Sequence, residues 1–198
     1  TYQEQKTYFD VLRLTVDDKY SWDFAMLGVG LRYINGVGKP DMLHYVEFFG
    51  MEGHYDFASN RGYIWSRTFP LLKRTLLLGV GRDNFAYAFP NDDYVGKVNC
   101  GFNEQIITKP HNMYLQIWAQ DGLPALLAFL ALYLLLFGRT VRKCFKKGKW
   151  NHSQKISLAL LCGVSGYFVA GLANDSSICV APVFWILFGV AFAVSRRE

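Results

Sequence analysis

The sequence predicts a mainly α-helical, polytopic membrane protein. A large extracytoplasmic loop region with short helices, residues 1–110, precedes three transmembrane helices in 111–198. Three observations predict this. Of the 198 residues, 52% are hydrophobic and 19% charged, with a mean hydropathy of +0.10, so ample apolar surface is available for burial and intrinsic disorder is excluded. Three uncharged apolar runs, 122–138, 156–173 and 178–194, each come close to the roughly 17–25 residues that cross a bilayer. The chain opens at Thr1 in polar sequence, without a charged leader, and closes on apolar sequence, as the C-terminal part of a longer protein would.

The charges orient these spans. Seven of the 21 basic residues, Arg139, Arg142, Lys143, Lys146, Lys147, Lys149 and Lys155, fall within 139–155, where no acidic residue stands. The other 14 meet 16 acidic residues, a net of −2, so the formal charge of +5 belongs to one short block. A basic block between two apolar runs marks a cytoplasmic loop. It argues against a nucleic-acid partner, which would need basic residues spread over a folded surface with aromatic platforms. The first span, about 111–138, then enters the cytoplasm at Arg139, and the second, 156–173, leaves it. The link 174–177 lacks Lys and Arg and lies outside. The third span, 178–194, returns to Arg196 and Arg197 on the inside.

Within 1–110 the elements are short. Residues 11–16, Val-Leu-Arg-Leu-Thr-Val, alternate as a strand does, with a helix still open. Residues 24–31 are apolar but broken by glycine, which predicts a buried or interfacial turn. Gly36, Gly38 and Pro40 mark a loop. Ser59 and Asn60 are placed to cap a helix through Tyr63, Trp65, Phe69, Leu72 and Leu76, and Pro70 predicts a kink or break inside it. Asn91, Asp92 and Asp93, followed by 96–103, read as a flexible connection.

The most informative stretch runs from Pro110 to Ala125. Pro110 suits the first position of a helix, where its missing N–H costs nothing. A continuous helix from there to Phe137 would hold 28 residues, about 42 Å at 1.5 Å per residue, against a hydrocarbon core of roughly 30 Å. Its first turns would stand at the outer interface with Tyr114 and Trp118 at headgroup level, and Pro124 would bend it on entry into lipid. His111, Leu115, Trp118 and Gly122 would share one packed face. A histidine at that helix end has two readings. The positive end of the macrodipole disfavours a charged ring and leaves an imidazole able to accept a proton, while free N–H groups of the same turn can hold a phosphate oxygen. The plainer reading is an interfacial hydrogen-bonding cap.

His111-Asn112, nine residues, Gly122, two residues and Ala125 resemble the H-N/S-x9-G-x-x-G signature of the O-antigen ligase/polymerase superfamily of bacterial envelope enzymes. Ala125 stands where the final glycine would be, and as a small residue it keeps close packing. Arg61-Gly62-Tyr63-Ile64-Trp65, then Leu78-Gly79-Val80-Gly81 and Phe85, are similar to that superfamily's R-x-x-x-W … GVG … F segment. The resemblance spans about 59–194 and leaves 1–58 unmatched.

The resemblance implies polytopic glycosyltransferases of GT-C-like helical architecture in the cytoplasmic membrane. They act at its outer face on glycans carried by undecaprenyl pyrophosphate. It implies transfer from a lipid-linked oligosaccharide donor to a hydroxyl of a glycan or lipid acceptor, with inversion and without a metal ion or other cofactor. His111 matches the histidine assigned to acceptor activation, by proton abstraction or by hydrogen bonding. Arg61 matches the arginine that holds the pyrophosphate, a task suited to a bidentate guanidinium. Polymerase, lipid A-core ligase and protein O-oligosaccharyltransferase stay open, as does a non-catalytic or transport protein on the same scaffold.

Arg67, Asn112, Trp65, Arg82 and Asp175 are the further candidates for substrate contact. Plainer accounts stand beside them: Arg67, Arg74 and Arg82 as solvated or interfacial charges, Trp65 as helix packing, Asp175 as a turn cap. Gly79-Val80-Gly81 lacks the third glycine of a dinucleotide loop, since Asn84 stands there, and a tight turn accounts for it better. His44 and His54 lie in a glycine-rich loop without metal-ligand spacing, and no H-E-x-x-H or clustered Asp/Glu motif is present. Cys100, Cys144, Cys162 and Cys179 form no CxxC pair, so zinc is not suggested. Cys100 and Cys179 share the outer side and are able to pair, whereas Cys144 and Cys162 read as unpaired thiols.

Overall fold

The structure, a computed structural model, describes residues 9–16, 20–35, 38–102, 105–145 and 150–196. Gly36, Asn103, Lys146, Lys147, Lys149 and Arg197 of the expectations above lie outside the described residues. In chain order the elements are β1 (Asp10–Val16), β2 (Tyr20–Leu27), β3 (Gly30–Ile34), β4 (Pro40–Asp41), α1 (Phe57–Arg74), α2 (Phe85–Ala88), α3 (Tyr94–Asn99), α4 (Met113–Asp121), α5 (Leu123–Cys144), α6 (His152–Ala170) and α7 (Ala181–Arg196). They form two compact units. One takes in the described residues within Thr1–Glu47 and Pro90–Ile106, the other those within Phe48–Phe89 and Ile107–Glu198.

The first unit is a four-stranded antiparallel sheet in the order β1-β2-β3-β4, carrying α3. Its register sets Leu12 opposite Phe24, Leu14 opposite Trp22, and Phe24 opposite Tyr33, so these side chains share one apolar face. The other face carries the Arg13–Asp23 cross-strand pair at 2.6 Å. Arg13 holds the Asp23 carboxyl below its ordinary range through a direct hydrogen bond. The strand expected at 11–16 is present, but the turn expected over 24–31 is a hairpin instead. Phe24 to Leu27 are apolar on both faces, which hides the two-residue period, and Gly30 at φ 109° opens the return strand. The connection expected near 96–103 contains α3, whose N-cap Asp93 accepts the Gly96 N–H at 3.0 Å. Tyr94 at its start packs against Tyr33, ring centroids 4.6 Å apart and tilted by 42°, and donates its hydroxyl to Asp41 at 2.6 Å.

In the second unit α1 is regular from Arg61 onward. Ala58, Ser59 and Asn60 instead hold left-handed backbone at φ 50°, 63° and 65°. Pro70 does not break the helix. The Ser66 carbonyl, which Pro70 cannot reach with an N–H, accepts one from Phe49 at 2.9 Å. The continuous helix expected from Pro110 to Phe137 is two helices, because Gly122 at φ 93° and ψ 164° interrupts it. A Cβ at Gly122 would stand 2.6 Å from the Leu77 carbonyl, and one at Gly79 would collide with the Gln120 backbone. The glycine turn docks into that break: Val80 and Gly81 donate to the Ala119 and Gln120 carbonyls, each at 2.9 Å. Pro124 takes the second position of α5, where it bends nothing.

Helices α5, α6 and α7 run up, down and up. Phe129, Phe168, Phe184 and Phe188 fill the core between them, with Phe129 and Phe168 stacked at 4.7 Å. At one end Lys143 Nζ donates to Ser153 Oγ and to the Val194 carbonyl, both at 2.7 Å, which joins all three helices. At the other end Met113 N donates to the Gly171 carbonyl at 2.8 Å and Ser176 N to Gln116 Oε1 at 2.9 Å. Of the three expected spans, α5 with 22 residues is long and apolar enough to cross a membrane. Helix α7 is apolar but has 16 residues, and α6 opens on the polar turn His152 to Lys155.

Candidate functional site

His111 lies outside the helix. Asn112 is the N-cap of α4: its Oδ1 accepts the N–H groups of Tyr114 and Leu115, both at 3.0 Å, and its Nδ2 donates to the Leu172 carbonyl at 2.9 Å. All of the bonding capacity of Asn112 used here goes to fixing the start of α4 beside the turn after α6. His111 precedes that cap at φ 52°, a left-handed conformation that a non-glycine residue holds only when its surroundings impose it. The packed helix face expected for His111 is therefore not where the ring sits. Its side chain is 50% exposed.

The surroundings are visible on both sides of the residue. Pro110 is buried, and its carbonyl accepts the Trp65 Nε1–H at 2.8 Å. Across the ring, His111 Nδ1 lies 2.9 Å from Oδ2 of Asp175, which stands in the turn after α6. The Asp175 side chain is only 10% exposed, and its Oδ1 is buried without a hydrogen-bond partner. A carboxylate accepts only, so in the neutral ring Nδ1 carries the hydrogen and Nε2 is left with the lone pair. Such a nitrogen can take a proton from a hydroxyl or hold one by hydrogen bonding. A cavity of about 500 Å³ adjoins the pair, with Lys109, Met113, Tyr167, Gly171, Asn174 and Ser176 in its wall beside His111 and Asp175.

Arg61 stands one turn before Trp65 on α1, the helix whose indole holds the histidine segment. Its Nη1 donates to the Ala58 carbonyl at 3.1 Å, while its Nε is buried and unpartnered. Arg61 does not line the cavity beside His111. Trp65 is thus brought to the site as a support for Pro110. Arg67 is neither solvated nor interfacial. It is 7% exposed, with its guanidinium 4.9 Å from the Phe48 and Tyr55 rings and 4.5 Å from the Tyr63 ring. Arg82 pairs with Asp121 at 3.2 Å on the surface, beside the docked glycine turn. His44 faces Asp92 at 3.2 Å in the sheet unit, and His54 Nδ1 meets the Glu52 carbonyl at 3.1 Å. The four cysteines are free thiols.

The sequence offers Asp175 beside a turn-cap reading and does not single out Lys109. One signal was available for the first: Asp175 is the sole acidic residue between Gly122 and Val194.

The fold is mostly helical, with one helix long and apolar enough to cross a membrane, and it sets a histidine–aspartate pair beside a cavity at one end of its helices. The chain belongs to the O-antigen ligase family (Wzy_C), whose model matches residues 21–130. That match reaches into 21–58, which the motif resemblance left out, and stops before 131–194. No curated protein and no solved structure matches the chain. Membership carries with it a glycosyltransferase-like activity, glycan transfer at the cell envelope, and a membrane-associated setting.

Proposed function

We propose that the chain carries catalytic residues of an envelope polysaccharide polymerase or ligase. It transfers a glycan from undecaprenyl pyrophosphate to an acceptor hydroxyl at the outer face of the cytoplasmic membrane. The contact that carries this reading is His111 Nδ1 to Asp175 Oδ2 at 2.9 Å. Asp175 positions the ring and fixes its tautomer, which leaves Nε2 to act on the acceptor. As the acceptor oxygen bonds to the anomeric carbon, its proton passes to Nε2. The bond from that carbon to the diphosphate oxygen breaks, and the electron pair leaves with the diphosphate. Attack opposite the leaving group inverts the centre, and a held imidazole with cationic side chains serves the transfer without a metal ion. Arg61 is the cation that the motif resemblance assigns to the diphosphate, a task suited to the guanidinium fork, although it stands outside the wall of the cavity beside His111.

Helices α5, α6 and α7 are read as three spans. Large apolar side chains of α7 face outward, among them Val183, Trp185 and Ile186. The basic block at the Lys143 end sets that end in the cytoplasm and the His111 end outside, with 1–110 extracytoplasmic.

The test is His111→Ala and Arg61→Lys in the full-length protein, with gel display of lipid-linked and transferred glycan. Loss of transfer from correctly inserted protein is expected for both, roughly a hundredfold or more for His111→Ala. Arg61→Lys keeps the charge and loses the bidentate fork. Unchanged polymer from both inserted variants overturns the assignment.

A further inference from the structure

The cavity beside His111 has a cation in its wall that is not Arg61. Lys109 lines it two residues before His111, across the buried Pro110. Lys109 is exposed and, among the described residues, makes no salt bridge. The only carboxylate in the same wall is Asp175, whose Oδ2 is on the His111 ring and whose Oδ1 is buried. Among the described residues Lys109 is therefore the lysine of this wall without a carboxylate partner, while the Asp175 carboxylate is engaged by His111. Beside it, Asn174, Ser176 and Ser177 add neutral polar groups, while Met113 and Val180 line it with apolar surface. At about 500 Å³, the space falls within the range of roughly 300–1,000 Å³ common for small-ligand sites.

We propose that Lys109 makes this cavity an anion-binding subsite, which holds a phosphate or carboxylate group of the substrate beside His111. An ammonium is a compact point charge on a flexible stem, so it suits an anion whose orientation is set elsewhere. The inference rests on transfer taking place at His111. The anion has two possible sources, the diphosphate of the lipid-linked donor and an acidic sugar of the acceptor, and both present the same chemistry to Lys109.

The test titrates the full-length protein in detergent with inorganic pyrophosphate and, separately, with glucuronate, by calorimetry. Wild type is compared with Lys109→Gln and Lys109→Arg, and KM for the lipid-linked donor and for the acceptor is measured alongside. One probe should bind, weaken roughly ten- to hundredfold in Lys109→Gln, and recover in Lys109→Arg, as expected for loss of a charge-assisted hydrogen bond. Its affinity should fall as salt rises, because the lysine is exposed. Pyrophosphate loss with a raised donor KM assigns the diphosphate. Glucuronate loss with a raised acceptor KM assigns the acidic sugar. Unchanged affinity for both probes, with both KM values unchanged, overturns the subsite. His111→Ala separates the two claims. If it stops transfer while the Lys109 variants behave as wild type, only the subsite fails; if it transfers normally, the catalytic reading fails and the calorimetry still decides the subsite.

Discussion

The two ends of the three-helix bundle each bring a charged side chain among chain termini and turns, and they treat it differently. Lys143 is 7% exposed and donates to Ser153 Oγ and the Val194 carbonyl, while its own carbonyl accepts the Gln154 side chain at 2.7 Å. Asn151 and Gln154 close a reciprocal cap on the same turn. A turn away, Arg139 Nη1 and Thr140 Oγ1 lack partners, but Lys143 itself is answered within the chain. Asp175 is almost as enclosed, yet one of its oxygens is unanswered, and its partner His111 is half exposed on left-handed backbone. A buried charge that is answered holds helices together. An unanswered carboxylate oxygen beside a histidine on strained backbone is what supports the proposed site at this end.

The largest expected effect breaks the open end. Asp175→Asn leaves the turn its shape but offers an amide to Nδ1, so the ring is free to take the other tautomer. Transfer should fall on the order of a hundredfold or more by analogy with other histidine–carboxylate pairs. The midpoint of thermal unfolding should stay level or rise, since the variant relieves a buried unpaired carboxylate oxygen. A variant that unfolds early and transfers normally per folded molecule would make Asp175 scaffold after all. Lys143→Met should do the reverse. It removes two short charge-assisted bonds and should cost about 1.5–3 kcal/mol in detergent unfolding, with transfer per folded molecule unchanged.

How far the sequence showed this contrast depends on whether each signal is local. Alternation at 11–16 exposed β1, whereas the second half of β2, Phe24 to Leu27, is apolar on both faces and kept its period hidden. The helix through Trp65 was legible, but its survival at Pro70 was not, because the N–H that answers Ser66 comes from Phe49, outside the helix. Gly122 was noticed as a motif residue. That it splits a helix depends on Leu77 packing into the gap, a contact across 45 residues. At the site, His111 and Arg61 stood out through motif spacing, and family membership bears out that resemblance. The partner of His111 lies 64 residues on, in a turn that only the folded bundle brings back.

A smaller effect sharpens the reading of His111 itself. His111→Ala and His111→Gly both remove the imidazole and its bond to Asp175, so they differ mainly in backbone. At φ 52°, alanine still bears the left-handed penalty and glycine does not. His111→Gly should therefore be the more stable of the two by about 1 kcal/mol, and both should be inactive. Equal stability would mean that the loop relaxes once the ring is gone, and that the strain belongs to the histidine–aspartate contact.

The smallest effect extends the comparison to an answered pair outside the bundle. Tyr94 donates to Asp41 at 2.6 Å in the sheet unit. Burial, then the Asp41 bond, pushes the Tyr94 phenol up to about 12. The Tyr94 hydroxyl, then the Met42 N–H, draws the Asp41 carboxyl below its ordinary value. A raised acid favours the folded state while protonated, so the Tyr94 contribution is whole below its ordinary value near pH 10 and is lost as pH climbs through about 12. The lowered carboxyl has the opposite sense: its contribution is whole above the ordinary carboxylate range and disappears as pH falls through the Asp41 value. Tyrosinate absorbance should lose a late-titrating phenol in Tyr94→Phe, and that variant should flatten the stability change at both extremes. If an answered pair is only scaffold, Tyr94→Phe should leave transfer near neutral pH unaltered. A loss of transfer there would show that the sheet unit takes part in the chemistry, and that hydrogen-bond completeness does not by itself separate scaffold from site.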